Sequence, residues 1–262
     1  MSKRLDIVGG FYAKYDEDSR VIGSRQGQLE YRTTMEYIRR HAPGGGKLLE
    51  IGAGTGRYSI ALARAGYDVT ALELLDHNLE RLRKNALGIE NLRSYQGDAL
   101  DLSRFHAGGF DMTLVLGPMY HLYDPAEVQT AISEAIRVTK PGGVLIFAFL
   151  SVYAIMGNNY LKGNLRFGLR ENFTPDFRVR HFPEQLFTGY DIGEFEALFT
   201  GLPVTHLTTA AADGILELAS GRTDFDLPDE EFEGWVSYHL ATCEKRELLG
   251  NSSHLLYICR KT

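Results

Sequence analysis

The chain has 262 residues, 44% of them hydrophobic and 24% charged, with a formal charge of −6 and a pI near 5.8. This composition supports a packed core and excludes a mainly disordered chain, a collagen or a coiled-coil rod, while the longest apolar run, 144–150, is far short of the ~20 residues a membrane helix needs. The acidic balance counts against a nucleic-acid backbone as the main partner; two cysteines outside any metal spacing, and no apolar stretch after the basic start, lead us to expect a cytoplasmic protein with no membrane segment and no disulfide framework.

The chain opens with a short aromatic segment, 7–16, followed by a helical pattern over 28–41 with Leu29, Tyr31, Met35, Tyr37 and Ile38 as its apolar residues. Lys47–Ile51 then reads as a strand and 57–65 as a helix. A strand over 67–72 precedes a helix over Asp76–Asn85, and Leu92–Gln96 is a short third strand. The fourth, 110–116, leads to a helix over Pro125–Val138. That helix has Asp124 as N-cap, Pro125 at the first position and Glu127 three residues after the cap. Pro141-Gly142-Gly143 stops the pattern and turns the chain into a fifth strand, 143–150. Alternation of this kind predicts βαβ crossovers and a mostly parallel sheet covered on both faces.

After the fifth strand the pattern breaks. Residues 151–190 show no clear periodicity but carry eight phenylalanines and tyrosines. Long structureless loops are uncommon inside compact domains, so this stretch reads as a lid over the strand ends. Regularity returns with a helix over 192–199, capped by Asp191, and a strand over 204–209. A long helix over 228–248 has acids at its positive end. A strand over 255–260 ends the pattern. Read this way, 1–262 is a single domain, with a helical cap (1–42), a cofactor-binding core (43–150) and lid elements at 151–190 and 211–250.

The segment Glu50-Ile51-Gly52-Ala53-Gly54-Thr55-Gly56 carries the most information. A strand runs into three alternate glycines and a helix begins, the arrangement needed where backbone takes positive φ or lets a ligand approach. In open α/β sheets such ligands sit beyond the carboxyl ends of the strands. Glu73 closes the second strand, 21 residues after Gly52, where a carboxylate accepts hydrogen bonds from ribose hydroxyls. A nucleoside-containing cofactor follows. The dinucleotide fingerprint G-x-G-x-x-G is not met, because Arg57 stands where its third glycine belongs. A P-loop is excluded because no G-K-[ST] follows.

Glu50 before the glycines, Glu73, Gly97-Asp98-Ala99 after the third strand, Phe110-Asp111 and Pro141-Gly142-Gly143 together resemble the class I S-adenosylmethionine-dependent methyltransferases of the small-molecule type. The match covers 47–150. The resemblance implies an α/β, Rossmann-like, seven-stranded mixed sheet of order 3-2-1-4-5-7-6. Its last strand is antiparallel, with helices on both faces and a lid insertion. It also implies roles. Glu50 with Gly52, Ala53, Gly54, Thr55 and Gly56 holds the methionine end and approaches the ribose. Glu73 binds the ribose hydroxyls, with Leu74 beside the adenine. Asp98 accepts from the adenine amino group, with Ala99 alongside, and Leu116 and Gly117 line the sulfonium. Tyr15, in an aromatic segment like one that folds over the cofactor in such enzymes, and Arg25, facing the methionine carboxylate, complete the set; Arg20 is a second candidate for that carboxylate.

Methyl transfer from a sulfonium mainly needs alignment and exclusion of water, with a base where the nucleophile carries a proton. The loop after the fourth strand, 116–122, should face the methyl group. It offers His121 as a base and Tyr120 beside it, or both merely pack the loop. The lid carries five basic residues (Lys162, Arg166, Arg170, Arg178, Arg180) against three acids, a hint of an anionic or aromatic acceptor. Without [DN]-P-P-[YF] at 117–120 a nucleic-acid base is disfavoured as substrate, and without a clear acidic triad no metal is expected. Two alternatives stay open: an NAD-dependent oxidoreductase on a similar sheet, and a regulatory protein that binds S-adenosylmethionine without turning it over.

Overall fold

The computed structural model describes residues 3–14, 23–161, 163–182 and 185–262. Tyr15, Arg20 and Lys162 lie outside these. Two helices precede the sheet, α1 (Lys3–Tyr12) and α2 (Arg25–His41). Ser24 caps α2, its hydroxyl accepting from the Gly27 amide at 3.1 Å.

The central units follow the predicted alternation: β1 (Lys47–Ile51), α3 (Arg57–Arg64), β2 (Asp68–Glu73), α4 (Asp76–Asn85), β3 (Leu92–Gln96), β4 (Phe110–Val115), α5 (Pro125–Val138) and β5 (Thr139–Ser151). The α5 cap forms as its sequence requires, with the Ala126 amide donating to Asp124 Oδ1 at 2.7 Å. Asp111 accepts from the Lys47 amide at 2.8 Å and pairs with Lys140 at 2.5 Å. That acid is therefore a structural tie between β1, β4 and the start of β5.

The sheet has eight strands in the order β3-β2-β1-β4-β5-β8-β7, with β6 (Gly189–Tyr190) pairing β5 off that path. The expected seven-strand order is present, and β6 is an addition. The last strand, β8 (His254–Lys261), runs antiparallel between β5 and β7 (Val204–Ala211). Its first residues therefore lie with the carboxyl ends of all the others, His254 standing opposite Leu150. β1, β2, β4 and β5 are almost wholly buried, as strands covered on both faces should be.

Two stretches differ from expectation. Residues 151–190 are not irregular throughout. They fold as α6 (Val152–Ile155), a π turn (Met156–Tyr160), α7 (Leu165–Asn172), a Phe173–Val179 bridge and β6. Each piece is too short to show a period and is held by tertiary contact. Asn172 Nδ2 ties back to the Gly168 carbonyl at 2.9 Å, and a Cβ at Gly168 would fall 2.3 Å from the Tyr160 ring. The helix predicted over 228–248 breaks into α10 (Asp229–Thr242) and α11 (Arg246–Leu249). The Cys243 carbonyl accepts from the Ala211 amide at 2.8 Å, so the helical ladder stops there. Between β6 and α10 lie α8 (Ile192–Ala197), whose Asp191 cap is as predicted, and α9 (Leu216–Ser220).

Candidate active site

The glycine turn after β1 places Gly52, Gly54 and Gly56 at φ of 77°, 55° and 91°. Their surroundings differ. A Cβ on Gly52 would sit 2.8 Å from Pro118, and one on Gly56 2.7 Å from Leu82, whereas one on Gly54 would meet nothing within 4 Å. Gly56 caps α3 and does not line the cavity; Gly52, Ala53, Gly54 and Thr55 do.

Glu73 is buried at the end of β2. Its Oε2 accepts from the Gly54 amide at 2.7 Å and its Oε1 from the Leu75 amide at 3.0 Å, so this carboxylate also sets the loop. Glu50 is buried at the end of β1 and accepts from the Ser59 hydroxyl. Burial pushes its carboxyl up to about 8, with the charge of Glu73 adding to the shift. Burial likewise raises Glu73. Two buried carboxyls destabilised as anions favour a cationic ligand beside them. Asp98, past β3, accepts from the Leu100 amide at 3.1 Å and pairs with Arg4 of α1 at 2.5 Å; α1 thus closes the expected adenine end.

These groups line one cavity of about 970 Å³. Glu50, Glu73, Leu74, Asp98, Ala99, Leu116 and Gly117, all named as candidates from the sequence, are among its walls. The rest is roofed by α1, α2 and the lid. Arg25 is not among its walls. It pairs with Asp229 at 2.6 Å, donates to the Leu227 carbonyl and lies over the Phe232 ring, joining α2 to α10. Arg166, Arg170, Arg178 and Arg180 do not line the cavity either, whereas Phe167 and Glu171 of the same helix do. The basic excess of the lid therefore says nothing about the acceptor.

Tyr120 and His121 lie on a short 3-10 turn, Pro118–His121, and both reach the cavity wall. Tyr120 donates to the Leu116 carbonyl at 2.9 Å. Both ring nitrogens of His121 are engaged. Nδ1 donates to the Leu186 carbonyl at 2.8 Å, which leaves Nε2 to accept from the Tyr12 hydroxyl at 3.1 Å. Burial pushes this imidazole down to about 4. His121 is thus a neutral tie between α1, the turn and the lid. Phe11 and Tyr12 are the aromatics of the N-terminal segment that the described residues bring to the cavity. Two further histidines make structural bonds: His239 Nε2 donates to the Ala211 carbonyl and His181 bridges Thr188 and Glu194.

Sequence reasoning missed a group at the far end of the cavity. His254, from the start of β8, lines it with Glu30 of α2, Glu217 of α9 and Asn158 of the π turn. Behind them Asp213 is fully buried, its Oδ2 2.8 Å from His254 Nδ1. The available signal was topological: the antiparallel last strand must begin at the site end of the sheet.

The residues at the glycine end fit S-adenosylmethionine. Gly54 leaves its approach open, the buried carboxyls of Glu50 and Glu73 suit a cation, and one further acid, Asp98, stands past the end of the adjacent strand β3. Comparisons with known proteins agree. Residues 48–143 match the methyltransferase domain family. The ubiquinone biosynthesis O-methyltransferase of Psychrobacter arcticus is 30% identical over 126 residues, covering 45% of this chain and 48% of that protein. The chain spans about half the length of the curated relatives it matches. Among solved structures, a Pyrococcus horikoshii protein, PH0226, superposes with a TM-score of 0.61 at 18% identity over 97% of this chain and 99% of that one. A Thermotoga maritima S-adenosylmethionine-dependent methyltransferase, described as a possible histamine N-methyltransferase, gives 0.60 at 16% identity over 99% and 100%. The fold and the glycine site define a Rossmann-like protein that uses S-adenosylmethionine. The chain thus carries a methyltransferase domain over residues 48–143, on the fold of solved S-adenosylmethionine-dependent methyltransferases.

Proposed function

We propose that the chain transfers a methyl group from S-adenosylmethionine to a small-molecule acceptor. The observation that carries this reading is the single cavity joining the glycine turn to an aromatic-roofed second half. Its volume, about 970 Å³, stands at the top of the ~300–1,000 Å³ range of sites that hold one drug-sized ligand, which suits a cofactor and a second small molecule together. When bound, S-adenosylmethionine supplies an activated methyl on a sulfonium. The chain's residues supply orientation and dryness: Glu73 and the Gly54 turn fix one end, Asp98 the other, and Leu116 and Gly117 flank the position where the methyl is expected. The segments 151–190 and 211–250 serve as the lid that excludes water. A nucleic-acid substrate is disfavoured by the charge of −6. Two unpaired buried cysteines, Cys243 and Cys259, support a reducing, cytoplasmic setting. No helix among the described residues is long and apolar enough to cross a membrane.

The reading is tested by calorimetry with S-adenosylhomocysteine and NAD, followed by transfer of a labelled methyl group to catechol and to phenethylamine. Binding of the first ligand alone is expected. Binding of NAD alone would overturn the assignment, and S-adenosylmethionine binding with no transfer to any small molecule would favour the regulatory alternative.

A further inference from the structure

The four described arginines of the lid do not line the cavity, and the end of the cavity away from the glycine turn is acidic. Among the described residues that line the cavity, the only lysines or arginines are Arg4 and Arg57. Both belong to the cofactor end: Arg4 pairs with Asp98 at 2.5 Å, and Arg57, the first residue of α3, lies over the Tyr31 ring at 4.5 Å. The far end carries the carboxylates of Glu30, Glu171 and Glu217 instead. An anion entering there meets carboxylates and, among the described residues and His254 apart, no group able to carry a positive charge.

The three acids are not alike. Glu30 Oε2 lies 3.9 Å from His254 Nδ1, which Asp213 Oδ2 approaches to 2.8 Å, so that ring, when it carries a proton, is shared by two carboxylates. Glu171 stands 3.6 Å from the exposed Arg170 guanidinium. Glu217 differs from both. Its Oε2 accepts from the Asn158 amide at 2.7 Å and from the Ser253 hydroxyl, and neither donor is a cation. Asn158, on the π turn, also donates to Ser253 at 2.7 Å. The three side chains brace one another from α9, the π turn and the residue before β8, and all three line the cavity. Glu217 is thus a carboxylate fixed in the wall, hydrogen-bonded but not charge-matched, and a cation is the ligand that matches it.

The neighbours suit such a ligand. Tyr160, Phe167, Phe182 and Phe187 supply aromatic wall, with Tyr160 and Phe167 6.3 Å apart between ring centroids. An aromatic face attracts a cation and also packs an apolar body. Gln185, 8% exposed, lines the same cavity. The Gly168 carbonyl can only accept, so Asn172 turns Nδ2 to it at 2.9 Å and Oδ1 to Gln185, whose Nε2 donates at 3.3 Å. The Gln185 oxygen is left as an acceptor with no partner among the described residues, and a buried acceptor of this kind calls for an N–H or O–H donor.

Resting on the methyl-transfer reading above, we propose that Glu217 anchors a cationic nitrogen of the acceptor, so that the substrate class is small organic ammonium compounds with an aromatic or apolar body. Glu217 is a specificity-determining residue, and Asn158 and Ser253 position it. The carboxylate favours a positive charge that an alcohol of the same shape lacks, and it repels the carboxylate of an acid. The cation is a handle for recognition: an ammonium nitrogen has no lone pair and attacks a methyl only after it has lost its proton.

The test uses the full chain saturated with S-adenosylhomocysteine and three probes of similar shape: phenethylammonium, 2-phenylethanol and phenylacetate. By calorimetry the ammonium should bind about 10–100-fold more tightly than the alcohol, as a charge-assisted hydrogen bond requires, and phenylacetate more weakly than either. Glu217→Gln keeps an acceptor for Asn158 and Ser253. It should bring phenethylammonium down to the affinity of the alcohol while 2-phenylethanol and S-adenosylhomocysteine bind as before. Glu233→Gln removes the same charge from an exposed position on α10, where Glu233 pairs with Arg32, and should leave the preference intact. Phenethylammonium bound no better than either other probe, a preference unchanged in a folded Glu217→Gln, or one lost equally in Glu233→Gln overturns the proposal. So does indifference to all three probes at millimolar concentration. Failure to bind S-adenosylhomocysteine would instead sink the cofactor reading, and the same three affinities, compared on the free chain, would still decide the role of Glu217.

Discussion

Glu50 should make the cofactor-free protein lose stability as pH rises, and Glu50→Gln should remove that loss. The carboxyl is 1% exposed and is pushed up to about 8 by burial, against an ordinary value of 4.5. Between those two pH values the folded chain holds a proton that the unfolded chain has released. The stabilisation is therefore complete below 4.5 and is lost progressively as pH rises through 8. One proton of difference is worth ~1.4 kcal/mol per pH unit, so the contribution falls by roughly 3 kcal/mol between pH 5 and pH 7. Glutamine keeps the shape, still accepts from Ser59 and never ionises. Urea unfolding of both proteins at pH 5, 6, 7 and 8 reads the effect as a difference, in which the groups common to both cancel. The glutamine variant should gain on the wild type by about 1.4 kcal/mol for each pH unit and the two curves should become parallel above pH 8. A gap between the proteins that stays constant from pH 5 to pH 8 would show Glu50 already ionised in the fold and refute the reasoning.

The other predictions concern the cofactor half, the turn and the lid. Glu73→Ala removes a charge-assisted acceptor worth ~1.5–3 kcal/mol; the affinity for S-adenosylhomocysteine should fall about 10–100-fold by calorimetry, and an unchanged affinity in a folded variant would remove the ribose assignment. His121→Phe keeps the ring but loses the ties to Tyr12 and Leu186. It should lower the melting temperature by about 2–4 °C for each ~1 kcal/mol lost and reduce transfer by less than ~10-fold, short of the loss expected for a base; a larger loss at unchanged stability would make His121 the base. Residues 151–190 should exchange amide hydrogen more slowly with cofactor and acceptor than with cofactor alone, whereas equal protection would mean that they form a fixed subdomain.

The core was legible because its signals are local. Asp124-Pro125 caps α5 by its own side chain, continuous apolar runs mark strands covered on both faces, and Gly52 to Gly56 can only be a turn. The lid was not, for a matching reason. A four-residue α6, a π turn and an eight-residue α7 carry no period, and what fixes them is remote: Asn158 bonds Glu217 and Ser253, 59 and 95 residues away. The break in the last long helix is of the same kind, set by a β7 amide that claims the Cys243 carbonyl. Arg25 does not line the cavity because, at the first position of α2, its guanidinium is claimed by Asp229 on α10, and no feature of its own neighbourhood in sequence names that partner.

The two histidines show where motif reading stops. His121 was visible because it follows β4, the position that the family sets against the methyl group, yet position is a property of the backbone and basicity a property of the surroundings. Buried between Leu186, Tyr12 and Phe187, that imidazole is stable only as a neutral ring. His254 sits in a stretch, 251–254, with no motif at all. Its placement follows from one topological fact, the reversal of β8, which carries the start of the final strand to the end of the sheet where β7 delivers Asp213. The wall of the cavity away from the glycine turn is thus fixed by a pairing 41 residues apart that neither residue announces, and it becomes visible only when strand direction is used to ask which residues begin, rather than end, at the site.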